Sequence, residues 1–151
     1  MEDEVHITRR HLPHWTMKGA AYFVTFRIQS GVLSIQEQKL TLDIIKSGHG
    51  SYYTLIAAIV MPNHVHMIFI PYERYTLSRI MKGLKGKSAR MINVERKTFG
   101  SVWQNESFDR IIRDQKELRK KINYMLNNPI KKELTDDPWN YHGWYYNEEE
   151  W

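Results

Sequence analysis

The sequence predicts an α+β protein with ferredoxin-like topology, an antiparallel sheet with helices packed on it, forming one domain over residues 1–151. Three observations point there. Hydrophobic periodicity runs in the order strand, helix, strand, strand, helix, strand, helix. A length of 151 residues supplies one sizeable core and no comfortable room for two. No repeat or low-complexity segment interrupts the pattern.

An N-terminal arm, residues 1–18, precedes the first strand. In AAYFVTFRI at 20–28, Tyr22, Val24, Phe26 and Ile28 fall on one side and Phe23, Thr25 and Arg27 on the other, as in a half-buried strand. After Gly31, Ser34 and Glu37 stand at capping-box spacing, and Ile35, Leu40, Leu42, Ile44 and Ile45 carry an amphipathic helix to near Gly48. Apolar runs at 52–60 and 64–70 flank Met61, Pro62 and Asn63. Pro followed by Asn suits the centre of a tight turn, so the runs should pair as an antiparallel hairpin.

Thr76 caps a second helix with Leu77, Ile80, Met81, Leu84, Met91 and Ile92 at helical spacing, and a kink or break is expected at Gly83 or Gly86. Phe108, Ile111 and Ile112 suggest a further strand. Residues 114–117 repeat the capping-box spacing and start a helix with Leu118, Ile122 and Met125 on its apolar side, which Pro129 should stop. Residues 130–151 form an aromatic C-terminal tail. Trp139, Tyr141, Trp144, Tyr145, Tyr146 and Trp151 are too much apolar surface to leave in water, so the tail should fold back on the domain.

Composition limits the functions available. With no cysteine, disulfide scaffolds, thiolate catalysis and cysteine zinc sites are excluded, and a metal site must draw on His, Asp, Glu, Asn, Gln or water. No stretch approaches the roughly 20 apolar residues that cross a bilayer, and MEDEVHITRR lacks the apolar core of a signal peptide. A soluble, cytoplasmic protein with no membrane partner is expected. The net charge is +5 and the pI about 9.4, with Arg79, Lys82, Lys85, Lys87, Arg90, Arg96 and Lys97 facing only Glu95 within residues 76–97. A polyanion is the natural partner for such a run, and a solvated helix face is its structural alternative.

His64 and His66 stand two apart at the start of a strand, so both rings project from one face and can reach one ion. They open that strand directly after the Pro62–Asn63 turn, at a rim where sites collect. Tyr124 and Asn128 are four apart on the last turn of a helix and share its face, delivering a tyrosine and an amide ligand together. Each has a plainer reading: a half-buried anchor for Tyr124, helix termination for Asn128. Asn127 competes for any role given to Asn128.

The blocks HLPHW at 11–15, YFVTFR at 22–27, MPNHVH at 61–66, KGKSARMIN at 85–93, VWQNESFDRIIRD at 102–114 and YMLNNP at 124–129 together resemble the REP-associated tyrosine transposases. These are single-tyrosine relatives of insertion-sequence transposases within the HUH endonuclease superfamily. The resemblance runs from His11 to Pro129. It implies a ferredoxin-like HUH fold, two ligands to a divalent ion from His64 and His66, completion of the metal site by Asn128, and attack on DNA by Tyr124. It also implies single-stranded DNA with hairpin or palindromic elements as partner, and either a monomer or a homodimer.

The residue types suit that chemistry. A tyrosine needs help to become a nucleophile at neutral pH, and a divalent ion supplies it by polarising the scissile phosphate. Attack would leave a 5′-phosphotyrosine and a free 3′ hydroxyl, conserving the bond for rejoining. Two imidazoles, one amide oxygen and water form a mixed N/O site that accepts Mn²⁺, with Mg²⁺ the expected cellular ion by abundance.

Single strands expose bases that stack on aromatic rings and phosphates that attract cations. Lys82, Lys85, Lys87 and Arg90 are candidates for backbone contacts. Trp103 is a candidate stacking residue or a packing anchor. Arg110 and Arg113 either contact phosphate near the tyrosine helix or pair with Asp109 and Asp114. Three other readings compete. One keeps the nick but drops self-transposition, leaving a chromosomal repeat-processing nuclease. Another is a non-catalytic ferredoxin-like nucleic-acid-binding module, suggested by KGAAYFVTF at 18–26, which is near the aromatic strand motif of RNA-recognition domains. A zinc hydrolase is the third, although the sequence has no HExxH pattern. His6, His11, His14, His49 and His142 are scattered and unassigned.

Overall fold

The computed structural model describes Val5 and residues 19–149. The HLPHW block, the rest of the N-terminal arm apart from Val5, and Trp151 lie outside the described residues. In chain order the elements are β1 (Ala21–Ile28), α1 (Ile35–Ser47), β2 (Tyr53–Val60), β3 (His64–Pro71), α2 (Leu77–Arg96), β4 (Trp103–Ile112) and α3 (Gln115–Lys131). A short 3-10 turn at Pro138–Asn140 and a last strand, β5 (Trp144–Tyr146), follow. All neighbours in the sheet are antiparallel, in the order β4-β1-β3-β2-β5. The first four strands have the ferredoxin-like arrangement that the order of elements predicts.

The two-residue period of a strand divides the sheet between two cores. Val24, Phe26, Val65, Met67 and Phe69 pack with Leu42 and Ile45 of α1 and with Ile80, Leu84 and Ile92 of α2. Ala21, Phe23, Ile68 and Ile70 pack instead with Leu118, Ile122, Met125 and Leu126 of α3. Helices therefore cover both faces. This explains why β2 and β3 read as almost unbroken apolar runs, and why β1, which alternation alone would leave half-buried, has both sides covered.

The capping box before α1 forms as its spacing requires. Ser34 Oγ accepts from the Glu37 N–H at 3.1 Å, and the Glu37 carboxylate accepts from the Ser34 N–H at 2.8 Å. Glu37 also accepts from Arg96 Nε at 2.6 Å, which ties α1 to the end of α2 and holds the Glu37 carboxyl below its ordinary pKa.

Two expectations about helix continuity need correction. α2 is unbroken through Gly83 and Gly86, because burying Ile80, Met81, Leu84, Ser88 and Ile92 outweighs the roughly 1 kcal/mol that each glycine costs relative to alanine. Its stop is Lys97, in the left-handed region at φ 58°. α3 runs through Pro129 to Lys131. The proline forfeits the bond its N–H would have made to the Met125 carbonyl, but it sits in the last turn, and the buried residues of the preceding turns hold the axis.

The tail does fold back. The Val60 N–H donates to the Gly143 carbonyl at 2.8 Å, β5 extends the sheet beyond β2, and Trp139 meets Trp144 edge-on at 6.1 Å between centroids. A Cβ on Gly143 would lie 2.2 Å from the Val60 carbonyl oxygen and 2.9 Å from Tyr141 Cε2, so the strand can approach only as glycine. Gly143→Ala should therefore cost about 1–3 kcal/mol and lower the melting temperature by several degrees. An unchanged Tm in calorimetry would remove the tail from the fold's stability.

Candidate active site

The site begins at the turn between β2 and β3. The Pro62 carbonyl accepts from the Leu33 N–H at 2.7 Å, the Asn63 carbonyl from the Ile28 N–H at 3.0 Å, and the His64 carbonyl from the Met61 N–H at 2.8 Å. These bonds pin the turn to the end of β1. The ladder then sets Arg27 opposite His64 and Thr25 opposite His66. Like Ile68 and Ile70, the two histidines point to the α3 side of the sheet. Their ring centroids are 4.7 Å apart, and the residues are 7 % and 4 % exposed.

Hydrogen bonds orient both rings the same way. His64 Nδ1 donates to Asn63 Oδ1 at 2.6 Å, and His66 Nδ1 lies 2.7 Å from Thr25 Oγ1. With its Nδ1 donating, His64 carries the Nε2 lone pair forward, and His66 does the same in the tautomer whose Nδ1 donates to Thr25. Among the described residues His66 Nε2 is buried without a partner, a state that costs about 1–3 kcal/mol unless something fills it. Burial is the main force keeping both imidazoles neutral. It lowers the His64 pKa to about 4, with the charges of Arg27 and Lys132 adding to the effect. It lowers that of His66 to about 3, with His64, Arg27 and Lys121 adding.

The opposite wall is α3. Asp114 caps it by accepting from the Glu117 N–H at 2.8 Å, but Glu117 turns to Arg110 at 3.0 Å, so only half of the capping box forms. Leu118, Ile122, Met125 and Leu126 face the sheet. That orientation carries Tyr124 and Asn128, one turn apart, to the histidines. The Tyr124 ring lies 5.5 Å from that of His66 and 6.4 Å from that of Phe23, and the residue is 50 % exposed. Asn128 is buried, with Nδ2 3.4 Å from His64 Nε2, and a half-turn of its amide presents Oδ1 there instead. Asn127 is occupied elsewhere, exchanging hydrogen bonds with the backbone of Val5 and donating to the Asn123 carbonyl at 2.8 Å. Of the two asparagines that spacing leaves open, Asn128 is the one directed at the histidines.

Among the described residues, no group of three or more His, Cys, Asp or Glu side chains is placed to hold a metal ion. The donor set on offer is two neutral imidazoles and an amide oxygen, with water to complete it. The orphaned, buried His66 Nε2, together with the neighbouring His64 whose Nε2 faces the Asn128 amide, fits a divalent ion of mixed N/O preference.

The other candidate residues scatter. Lys82 and Lys87 line a cavity of about 420 Å³ between α1 and α2, with Arg79, Tyr52 and Tyr75, on the face of the sheet away from the histidines. Arg90 is exposed on the same helix, and Arg113 is exposed just after β4. Lys85 does not present its charge outward. Its Nζ donates to the carbonyls of Gln104 and Asn105 at 2.6 and 3.1 Å, bracing β4 against α2. Trp103 is a packing anchor and offers no free stacking face: it is 4 % exposed, meets Phe26 edge-on at 4.8 Å and donates from Nε1 to Ser88 Oγ at 2.8 Å. Arg110 pairs with Glu117, neither of the aspartates expected.

Several residues at the site escape sequence reasoning. Thr25 and Arg27 arrive through cross-strand register, which no local pattern reveals. Asn63 reads in the sequence only as a turn former. Lys121, with Nζ 4.9 Å from the Phe23 ring centroid, is the exception: it stands three before Tyr124 on a helix, a spacing that marks neighbours.

Comparison with known proteins gives the family and the fold. The model of the family described as "Transposase IS200 like" matches residues 31–134. A REP-associated tyrosine transposase of Escherichia coli K12 is 25% identical over 139 residues, covering 89% of this chain and 75% of that protein. A provisionally named REP-associated tyrosine transposase of Haemophilus influenzae is 24% identical over 133 residues, covering 76% of this chain and 72% of its own. A solved REP-associated tyrosine transposase, bound to a REP hairpin, shares the fold with a TM-score of 0.69 at 22% identity, over 87% of this chain and 79% of that one. With a family match spanning most of its length, the chain belongs to the IS200-like transposases and is a DNA-binding, DNA-processing enzyme.

Proposed function

We propose that the protein is a metal-dependent HUH endonuclease and strand transferase that nicks single-stranded DNA beside hairpin or palindromic elements, through a 5′-phosphotyrosine bond to Tyr124. One observation carries this reading: two inward-facing Nε2 atoms, the Asn128 amide and the half-exposed Tyr124 ring meet on one face of the sheet. The hairpin bound to the structural neighbour supports the choice of substrate.

In this mechanism Asn63 and Thr25 hold the imidazoles in the tautomer and direction that a ligand requires. Burial keeps them unprotonated at neutral pH, so no proton has to leave before they coordinate. A divalent cation, Mg²⁺ or Mn²⁺, supplies when bound a Lewis acid that withdraws charge from the phosphate. Arg27 and Lys121 add positive potential around the same place. Phe23 packs against the Tyr124 ring and limits its directions of approach.

The Tyr124 hydroxyl oxygen bonds to phosphorus and the bond from phosphorus to the 3′ oxygen breaks. The phenolic proton passes to water, and the departing oxygen takes one up as a 3′ hydroxyl. A second 3′ hydroxyl attacking the phosphotyrosine reverses the exchange and joins strands.

Labelled single-stranded hairpin DNA incubated with the protein and Mn²⁺ should give a covalent band on a denaturing gel, lost with EDTA and with Tyr124→Phe. Persistence of the band in the Phe variant would remove Tyr124 from its role. His64→Ala and His66→Ala should each lose cleavage while retaining DNA binding. Thr25→Val should weaken metal affinity about 10–100-fold, measured by titrating Mn²⁺ against nicking rate, because it releases the His66 ring.

Protonation gives a further check, in metal-free buffer. The unfolded chain takes up protons on these histidines near pH 6.5, whereas the folded chain resists until about pH 4 at His64 and about pH 3 at His66. The unfolded state therefore binds more protons between those limits, and stability falls as pH falls through that window. Above about pH 7 the pair contributes no slope. The difference in unfolding free energy between wild type and His64→Gln/His66→Gln should change between pH 6.5 and 4 and be flat at higher pH. A flat difference throughout would mean that the imidazoles are not shielded.

A further inference from the structure

A cleft of about 390 Å³ opens between β4 and α3, and its lining includes His66 and Tyr124 together with Phe23, Arg27, Phe108 and Lys121. It is continuous with the candidate active site, yet nothing in the mechanism above uses its far wall. That wall is Phe108. In the β1–β4 ladder Phe108 stands opposite Thr25, so its ring projects to the same side of the sheet as the histidines. It belongs to neither hydrophobic core and is 70 % exposed. A lone exposed phenylalanine needs no explanation, but one set on the wall of a cleft that holds the nucleophile does.

Charge is distributed unevenly around this ring. Lys121 sits over Phe23 on the α3 side, Arg27 is exposed at the β1 side, and Glu106 is the acid on the β4 side. A phosphate is drawn toward Lys121 and Arg27, where Tyr124 is, and repelled from Glu106. A flat, uncharged surface suits the wall that remains. Resting on the nicking mechanism proposed above, we infer that the unpaired nucleotide flanking the scissile phosphate is seated in this cleft, with its base stacked on Phe108. Stacking fixes the sugar and so holds the phosphorus before the Tyr124 hydroxyl. Phe108 is a positioning residue, acting through the substrate's base, and it favours single strands because a paired base must first break its pairing and stacking to reach the ring.

The test uses the full chain and a single-stranded hairpin DNA whose nick has first been mapped with wild-type protein. Single-turnover nicking is then measured for wild type, Phe108→Ala and Phe108→Trp, on intact DNA and on DNA with an abasic site at either flanking nucleotide. Phe108→Ala should slow nicking of intact DNA about 5- to 150-fold, the loss expected when one base–aromatic stack is removed, and Phe108→Trp should restore it. An abasic site on one flank should slow wild type by a similar factor and have no further effect on Phe108→Ala. The inference is overturned if Phe108→Ala nicks at the wild-type rate, or if abasic sites slow it as much as they slow wild type. In both cases a Tyr124-linked product would leave the nicking mechanism standing. If wild type forms no such product on any hairpin tested, mechanism and inference fall together.

Discussion

α3 lies on the sheet face from which His64 and His66 project, and every feature of the site follows from that contact. Leu118, Ile122, Met125 and Leu126 bury themselves against Ile68, Ile70 and Ile112, each contributing on the order of 1.5–3 kcal/mol of hydrophobic stabilisation. The energy comes from apolar side chains, but its consequence is polar. With the helix seated by those residues, its register brings Tyr124 and Asn128 to the histidines, and its bulk removes water from their rings. The same packing also distinguishes this sheet from an open nucleic-acid-binding face: Phe23 and Thr25, in the segment that resembles an RNA-recognition motif, lie under α3 and against His66.

Removing water from two imidazoles has a cost, and its pattern is informative. A core histidine in a purely structural role finds partners for both nitrogens. Here each Nδ1 has one, while the forward-facing Nε2 atoms meet either nothing or a long contact with Asn128. The protein gives up local stability at the point where the nicking chemistry is proposed, as functional sites commonly do. Sheet and helices also divide the molecule. The basic surface of α2 and the histidine pair lie on opposite faces, with β4 at one edge of the sheet between them.

The elements and the centre of this site were legible for different reasons. Strand period alone predicted that His64 and His66 share a face, and helix period alone predicted that Tyr124 and Asn128 do; the family resemblance joined the pairs. Short-range rules also found the Ser34 capping box and the hairpin at Pro62 and Asn63. What stayed hidden depends on pairing between distant segments. Thr25 and Arg27 become neighbours of the histidines only through the β1–β3 register, and Phe108 joins them only through β1–β4. Local rules failed where tertiary packing overrode them, as at Gly83, Gly86 and Pro129 inside continuous helices. Packing also engages two of the candidate contact residues in fastening α2 to β4: Lys85, through its bonds to β4 carbonyls, and Trp103, which takes the packing-anchor alternative of its two readings.

The central claim is that the Nε2 atoms of His64 and His66 converge on one ion beside Tyr124. Diffraction at the manganese edge from crystals of the full chain grown with Mn²⁺ tests it most directly. The account predicts an anomalous peak bonded to both Nε2 atoms, with Asn128 and the Tyr124 hydroxyl on the same side of the sheet. Manganese bound only elsewhere, or reached through an Nδ1 atom after the rings turn over, would contradict it.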